Sequence, residues 1–286
     1  MQEHHILILG AGWTSTFLIP ILRARNLSFV ATTRDGREVA GAKTIKWSFD
    51  PEQDSISKDK NQFSDLPLAK HVLITFPLTG EGQSKTLVNG YQHAFKGKGV
   101  RFIQLGSTGI WSGAAPGWVD RHSSYNTDNS RAIAEDELLG LDGCVLNLAG
   151  LWGGERQIRN YVGRVAKTKE DVKGKGSLHM IHGQDVARVV LAVCEKWEKG
   201  RGERWMVTDG FVYDWWALFA GWAADAEDKD GDKEDPEPSP QAKWVYELMT
   251  EENIRALPRS METLGRSYDV RELWRTFGLA PLRARI

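Results

Sequence analysis

Residues Ile6–Leu18, ILILGAGWTSTFL, decide how this chain is read. A short, continuous apolar run from His5 to Leu9 ends on Gly10. After Gly12 the residues Phe17, Leu18, Ile21 and Leu22 mark one face of a helix. Unbroken rather than alternating hydrophobicity is what a parallel strand covered on both faces requires. Between strand and helix lies a turn suited to a pyrophosphate. Gly10 allows the tight turn, Gly12 lets backbone approach the phosphates, and the third position, here Ser15, must be small for the helix to pack on the strand. The N–H groups that open the helix then face the phosphate charge. Gly10, Gly12, Trp13, Thr14 and Ser15 are therefore candidate cofactor-binding residues. A lone G-x-G also fits an ordinary turn; the flanking strand and helix raise this one above that. Pro20 removes a hydrogen bond inside the helix and predicts a kink.

The same strand signature recurs at Leu27–Thr33, Thr44–Trp47, His71–Phe76, Val100–Leu105, Cys144–Ala149 and Arg204–Val207. Helical patterns lie between several of them. Val186, Val189, Val190, Val193, Cys194 and Trp197 share one helix face, and Gly200 stands where a glycine stop belongs. Alternating strand and helix predicts an α/β fold, a Rossmann-type doubly wound parallel sheet. A dinucleotide-binding core over residues 1–209 is expected, with a substrate-loop segment near 151–180. Residues 210–286 read as a small, mostly helical C-terminal substrate-binding part over the cofactor cleft. Within it Asp225–Pro240, DAEDKDGDKEDPEPSP, is acidic and lacks large apolar residues, so it reads as a solvated, dispensable loop. Its aspartates do not follow the calcium-loop spacing. Trp244, Val245, Leu248 and Met249 mark a further helix. Thr250 and Ser260 are predicted N-caps, and Asp269 with Glu272 a capping box ahead of Leu273, Trp274 and Phe277.

Composition narrows the function classes. With 37 basic and 38 acidic residues the net charge is −1, and no basic stripe suggests a nucleic-acid footprint. No apolar run reaches membrane-spanning length, and the start lacks the n- and h-regions of a signal peptide, so a cytoplasmic protein is the default expectation. The two cysteines, Cys144 and Cys194, sit in apolar runs and read as small buried hydrophobes. No metal site is expected; His179, His182 and Asp185 lack a ligand rhythm. The partner expected is a small-molecule substrate, and a homodimer is compatible with the sequence.

The end of the second strand, Thr32-Thr-Arg-Asp35, bears on cofactor choice. An acidic residue there binds a ribose 2′-hydroxyl, whereas a guanidinium clamps a 2′-phosphate. Arg34, with Thr33 as an extra donor, favours NADP. If Asp35 faces inward instead, NAD is preferred.

Four later segments follow in order: Leu105–Ser112 (LGSTGIWS), Arg131–Glu135 (RAIAE), Val145–Arg156 (VLNLAGLWGGER) and Met180–Ala187 (MIHGQDVA). Together with the glycine turn they resemble the extended short-chain dehydrogenase/reductase superfamily, in its atypical NAD(P)-binding, epimerase/dehydratase-like branch. The resemblance covers roughly residues 5–210. It implies that Ser107 is the active-site serine, that Arg131 stands for the family's lysine on the active-site helix, and that Asp185 buttresses the core. Asn147 replaces an arginine and Trp152 a tyrosine. The family's catalytic tyrosine, four residues before the lysine, is here Thr127, which cannot carry the same proton transfer; Tyr125 or Tyr161 could be recruited, or both are ordinary packing or surface tyrosines. Ser107, Tyr125 and Arg131 are the catalytic candidates, and Ser107 and Arg131 also count as cofactor contacts. Two functions follow as expectations. The first is an NADP(H)-binding oxidoreductase or epimerase-like enzyme without the usual Tyr/Lys pair. The second is a catalytically silent NADP(H) sensor or scaffold. Arg255, Arg259, Arg266 and Arg271 face either an anionic substrate or solvent.

Overall fold

The computed structural model describes residues 3–53, 61–95, 99–223, 237–284 and 286. Seven strands form one sheet: β1 His4–Leu9, β2 Phe29–Thr33, β3 Ile45–Lys46, β4 Ala69–Ile74, β5 Arg101–Ser107, β6 Cys144–Leu148 and β7 Arg204–Val207. Their spatial order is β7-β6-β5-β4-β1-β2-β3, and every neighbouring pair is parallel. The chain starts at the centre and winds outward in both directions, so β1 and β4 flank the topological switch point, where ligands of such sheets bind.

Alternation along β1 explains its continuous hydrophobicity. Ile6 and Ile8 face one core, shared with helix α1 (Trp13–Ala24), while Leu7 and Leu9 face the other, on the side of α2 (Gln83–Ala94) and α3 (Ser130–Gly140). Helix α4 (Gly183–Glu195) lies beside α1, burying Val186, Val189, Val190 and Val193. Each such valine contributes about 1.5–3 kcal/mol relative to exposure. Its apolar face was legible, but the helix ends at Glu195. Lys196 breaks it, and Trp197–Gly200 forms a separate turn that still tucks the Trp197 ring inside. Helix α1 runs unbroken through the exposed Pro20.

Three two-stranded sheets stand apart: Gly150–Trp152 with Met180–His182, Ser177–Leu178 with Tyr213–Asp214, and Gly117–Val119 with Arg266–Tyr268. Helices α5 (Trp215–Gly221) and α6 (Pro240–Glu251) close a second, smaller core around Trp216, Phe219, Val245 and Leu248. Helix α7 (Arg271–Phe277) returns to the main core through Leu273, Trp274 and Phe277. Residues 225–236 of the expected acidic loop lie outside the described residues. Its end is structured: Ser239 caps α6 by accepting from the Ala242 N–H, and Pro240 occupies the first turn.

Other C-terminal expectations are corrected. Thr250 lies inside α6 and is no cap. Ser260 does occupy the N-cap position of a short helix, Met261–Leu264, but its hydroxyl meets the Thr263 hydroxyl and not a backbone N–H. No capping box forms at Asp269, because the Glu272 carboxylate is engaged by Arg121 and His122. Arg259 is neither solvated nor open to a ligand: it is buried against Asp214 at 2.7 Å and lies over Trp216. Arg271 is exposed beside Asp269, Arg255 is exposed, and Arg266 donates to the Trp111 carbonyl. Cys144 and Cys194 are buried free thiols, and burial raises both, Cys194 to about 12.

Candidate functional site

Gly10 adopts φ +81°, a region closed to most side chains, and a Cβ there would come within 2.8 Å of the Phe76 ring. The turn is tied to both neighbouring strands. Gly10 N–H donates to Thr32 Oγ1 at 3.0 Å, and the Thr75 hydroxyl donates to the Gly10 carbonyl. Helix α1 then starts at Trp13 with no side-chain cap and no acidic residue in its first turn. Of its leading N–H groups, that of Ser15 bonds the Gly12 carbonyl at 3.0 Å, and no side chain competes for the rest. Thr14 and Ser15 are buried, and the Ser15 hydroxyl has no partner among the described residues.

At the carboxyl ends of β1–β4 opens a cleft of about 580 Å³. Gly10, Gly12, Thr33 and Arg34 line it together, as do Arg37, Trp47, Phe49, Phe76, Thr79 and Gln83. The second group went unnoticed in the sequence. Phe76 and Trp47 carried a signal, each ending an apolar strand run; Gln83 opens α2, and Arg37, Phe49 and Thr79 come from loops whose course no periodicity reveals.

The turn after β2 separates its charges. Asp35 pairs with Arg37 at 3.0 Å and is absent from the cleft lining, whereas Arg34 lines it with no hydrogen bond of its own among the described residues. The Arg37 partner holds the Asp35 carboxyl below its ordinary range. Thr33 is not a spare donor. The Thr44 hydroxyl donates to the Arg37 carbonyl, so in the 2.7 Å contact between the two threonines Thr33 is the donor. Thr33 Oγ1 also accepts from Gly36 N–H and thereby shapes the turn that presents Arg34.

The Ser107 region is built differently. Ser107 ends β5; its Oγ accepts from Gly109 N–H at 3.1 Å, leaving the hydroxyl proton available. Behind it Glu135, from α3, accepts from Ser107 N–H and, at 2.7 Å, from Asn147 Nδ2. Burial pushes the Glu135 carboxyl up, opposed by the Asn147 amide and the charge of Arg204. A Cβ at Gly106 would sit 2.4 Å from Glu135, so glycine is required there by close approach. Arg204 reaches Asp136 at 3.0 Å and lies over the Tyr125 ring, and the Tyr125 hydroxyl donates to Asp136 at 2.8 Å. Burial and Asp136 raise Tyr125 above its ordinary value. Arg131 sits in the first turn of α3, half-buried and without a side-chain hydrogen bond among the described residues, whereas Thr127 is exposed in the turn before it. Ser107, Tyr125 and Arg131 do not line the cleft that holds Gly10 and Arg34. Tyr161 is half-buried beside Arg164.

His182 caps α4 by accepting Gln184 N–H, and Asp185, fully buried, accepts from Leu282 and Arg283 N–H, anchoring the C-terminal chain.

In sequence, the chain matches no known family profile and no curated protein. In structure it is similar to a short-chain dehydrogenase/reductase superfamily protein from Agrobacterium tumefaciens with bound NAD (11% identity, 98% of this chain and 93% of that one, TM-score 0.60). Gre2 from Candida albicans in complex with NADPH matches at 12% identity over 98% and 95% of the two chains, TM-score 0.61. UDP-N-acetylglucosamine 4-epimerase from Bacillus cereus matches at 11% identity over 98% and 95%, TM-score 0.59. The fold is thus that of short-chain dehydrogenase/reductase and epimerase structures.

Proposed function

We propose that this chain is an NADP(H)-dependent oxidoreductase or epimerase-like enzyme acting on a small organic molecule. The observation that carries the reading is the cleft at the β1/β4 switch point, where the glycine turn, the uncapped start of α1 and the guanidinium of Arg34 meet. An NADP-sized ligand fits these residues: Gly10 and Gly12 admit the pyrophosphate, Trp47, Phe49 and Phe76 offer an apolar bed for adenine, and Arg34 awaits a 2′-phosphate. Asp35 is held by Arg37 and does not compete. Similar folds have been solved with NAD and with NADPH, so the preference rests on Arg34.

When bound, the nicotinamide supplies or accepts a hydride. The Ser107 hydroxyl, whose oxygen accepts from Gly109 N–H, hydrogen-bonds the substrate oxygen without giving up its proton. Glu135 and Asn147 hold the Ser107 backbone, and Arg131, outside the lining of the cleft, is the candidate contact to the nicotinamide ribose. No tyrosine occupies position 127, so the proton is managed by the substrate or by another group.

A charge-assisted contact from Arg34 is worth about 1.5–3 kcal/mol, roughly tenfold to a hundredfold in affinity. Titrating the tryptophan fluorescence is expected to show NADPH binding that much tighter than NADH, with the difference erased in Arg34→Ala. Equal affinities in the parent protein overturn the NADP assignment. A second reading, a catalytically silent NADP(H) sensor, is favoured by the exposed Thr127 and by the engagement of the Tyr125 hydroxyl with Asp136. Turnover of any carbonyl or sugar substrate that is lost in Ser107→Ala excludes it.

A further inference from the structure

The segment that follows β6 is fastened to the start of α1. The Gly153 carbonyl accepts two hydrogen bonds, from the indole Nε1 of Trp13 at 3.2 Å and from Arg156 N–H at 3.1 Å. Gly153 N–H returns the bond to the Arg156 carbonyl at 2.9 Å, closing a tight turn at φ +113°. A Cβ on Gly153 would come within 2.3 Å of His182, and one on Gly183 would come as near the Phe17 ring. The turn is therefore pressed onto α1 with little freedom. Its consequence is the position of Arg156, whose guanidinium lies 4.6 Å from the centre of the Trp13 ring. Trp13 is the first residue of α1, the helix whose uncapped end belongs to the glycine turn.

Arg156 differs from the ring-stacked arginines that hold carboxylates; the exposed Arg164, over Tyr161, also has no ion pair among the described residues, but its ring lies outside α1. Arg121, Arg204 and Arg259 also lie over aromatic rings, and each holds a carboxylate: Glu272, Asp136 and Asp214. Among the described residues the Arg156 side chain makes no hydrogen bond or ion pair. A guanidinium is placed beside an anion-binding helix end and oriented by an aromatic face, yet its donors have no protein acceptor. Such a group is prepared for an anionic ligand with two adjacent oxygens.

We propose that Arg156 is an affinity-determining contact to the cofactor pyrophosphate, with Trp13 as its positioning residue. The turn around Gly153 then acts as a clasp on the phosphates, although Trp13 and Arg156 stand outside the lining of the cleft that holds Arg34. The inference rests on the dinucleotide reading above and adds a residue that the glycine motif does not contain.

Two probes separate the sites: NADPH, which carries both the pyrophosphate and the 2′-phosphate, and 2′-AMP, which carries only the latter. Arg156→Met keeps the stem on Trp13 and removes the charge. It is expected to weaken NADPH and NADH by the same factor, about tenfold, and to leave 2′-AMP unchanged. Arg34→Ala is expected to weaken NADPH and 2′-AMP together. Trp13→Phe, which keeps a ring but loses the bond to Gly153, should weaken NADPH less than Arg156→Met does. Melting temperatures within a degree or two of the parent show that the variants fold. Parent-like NADPH affinity in Arg156→Met overturns the clasp alone. If the parent binds neither NADPH nor NADH, the cofactor reading falls and the clasp with it.

Discussion

The two ends of the carboxyl edge of the sheet handle polar groups in opposite ways. Around Gly10 and Arg34 the surface is open: the start of α1 has no side-chain cap and the Arg34 guanidinium lies in the cleft. Around Ser107, polar side chains are buried against one another, Glu135 with Asn147, Arg204 with Asp136 and Tyr125 with Asp136, although Asn147 Oδ1 and Arg204 Nε and Nη1 have no partner among the described residues. Open donors at a concave surface suit a ligand, whereas a buried, mostly bonded network suits a scaffold that fixes geometry. On the proposed reading the first region binds and the second holds Ser107 still.

The largest effect expected from breaking this contrast is at Gly10. Gly10→Ala forces a Cβ into Phe76 at an unfavourable φ, so a loss of about 2–5 kcal/mol of stability is expected. Thermal melts should show it, together with loss of NADPH binding. Stability that is unchanged would mean that the turn relaxes at little cost.

Acid should expose the second region next. His179 Nε2 accepts Tyr268 N–H, and the Tyr268 hydroxyl reaches the Thr108 carbonyl directly after Ser107. Burial lowers His179 to about 4, and His71, at the other end of the sheet, likewise to about 4. Between these values and the ordinary 6.5 the unfolded chain takes up a proton that the folded chain refuses. Stability from each imidazole is thus complete above about 6.5 and is lost as pH falls toward 4, by up to about 3 kcal/mol each. Asp209 acts in the opposite sense. Burial raises it to about 6, so its contribution is present at low pH and is lost as pH rises through that value. The net expectation is a falling melting temperature below pH 6.5, with a shallower fall in His179→Gln, whose amide keeps an acceptor that does not titrate. An equal slope in parent and variant would remove His179 from this account. Among the described residues no histidine or carboxylate lines the cleft, so cofactor affinity should be less sensitive to acid than stability.

Ser107→Ala probes the reacting centre itself. Turnover of the true substrate is expected to fall by about 10²–10³-fold, the usual loss of one donor to a developing oxyanion, with NADPH affinity preserved. Thr127→Ala, exposed and outside α3, should change turnover less than twofold in a steady-state assay. Loss of activity in Thr127→Ala with folding intact would place the chemistry at that turn. The smallest effect is expected at Tyr125→Phe, which removes one partly buried hydrogen bond to Asp136 and costs about 0.5–1.5 kcal/mol of stability without touching NADPH affinity. A large loss of turnover would instead recruit Tyr125 as the acid.

The strands, their parallel arrangement and the glycine turn were legible in the chain because each is written in local patterning: continuous apolar runs, a helical apolar face, a glycine where φ must be positive. The stop of α4 at Glu195 was not, since burial of the Trp197 ring keeps the apolar rhythm going past the break. The cap assignment failed at Thr250 because the helix runs on through it, and at Asp269 because Glu272 was taken by Arg121 from another part of the chain, a competition invisible to any short window. Residue types alone could nominate Arg34 and Asp35 as rivals. Only the tertiary structure separated them, by giving Asp35 to Arg37 and leaving Arg34 in the cleft. Likewise the sequence determined that Ser107, Glu135 and Asn147 follow one another in a motif order, while the fold decided that Glu135 lies behind Ser107 and that Arg156 sits over Trp13. Local conformational preference acts over a few residues and can be read from them. Which charges meet across a hundred or more residues depends on how the chain is brought back on itself, and that is settled only when the core is packed.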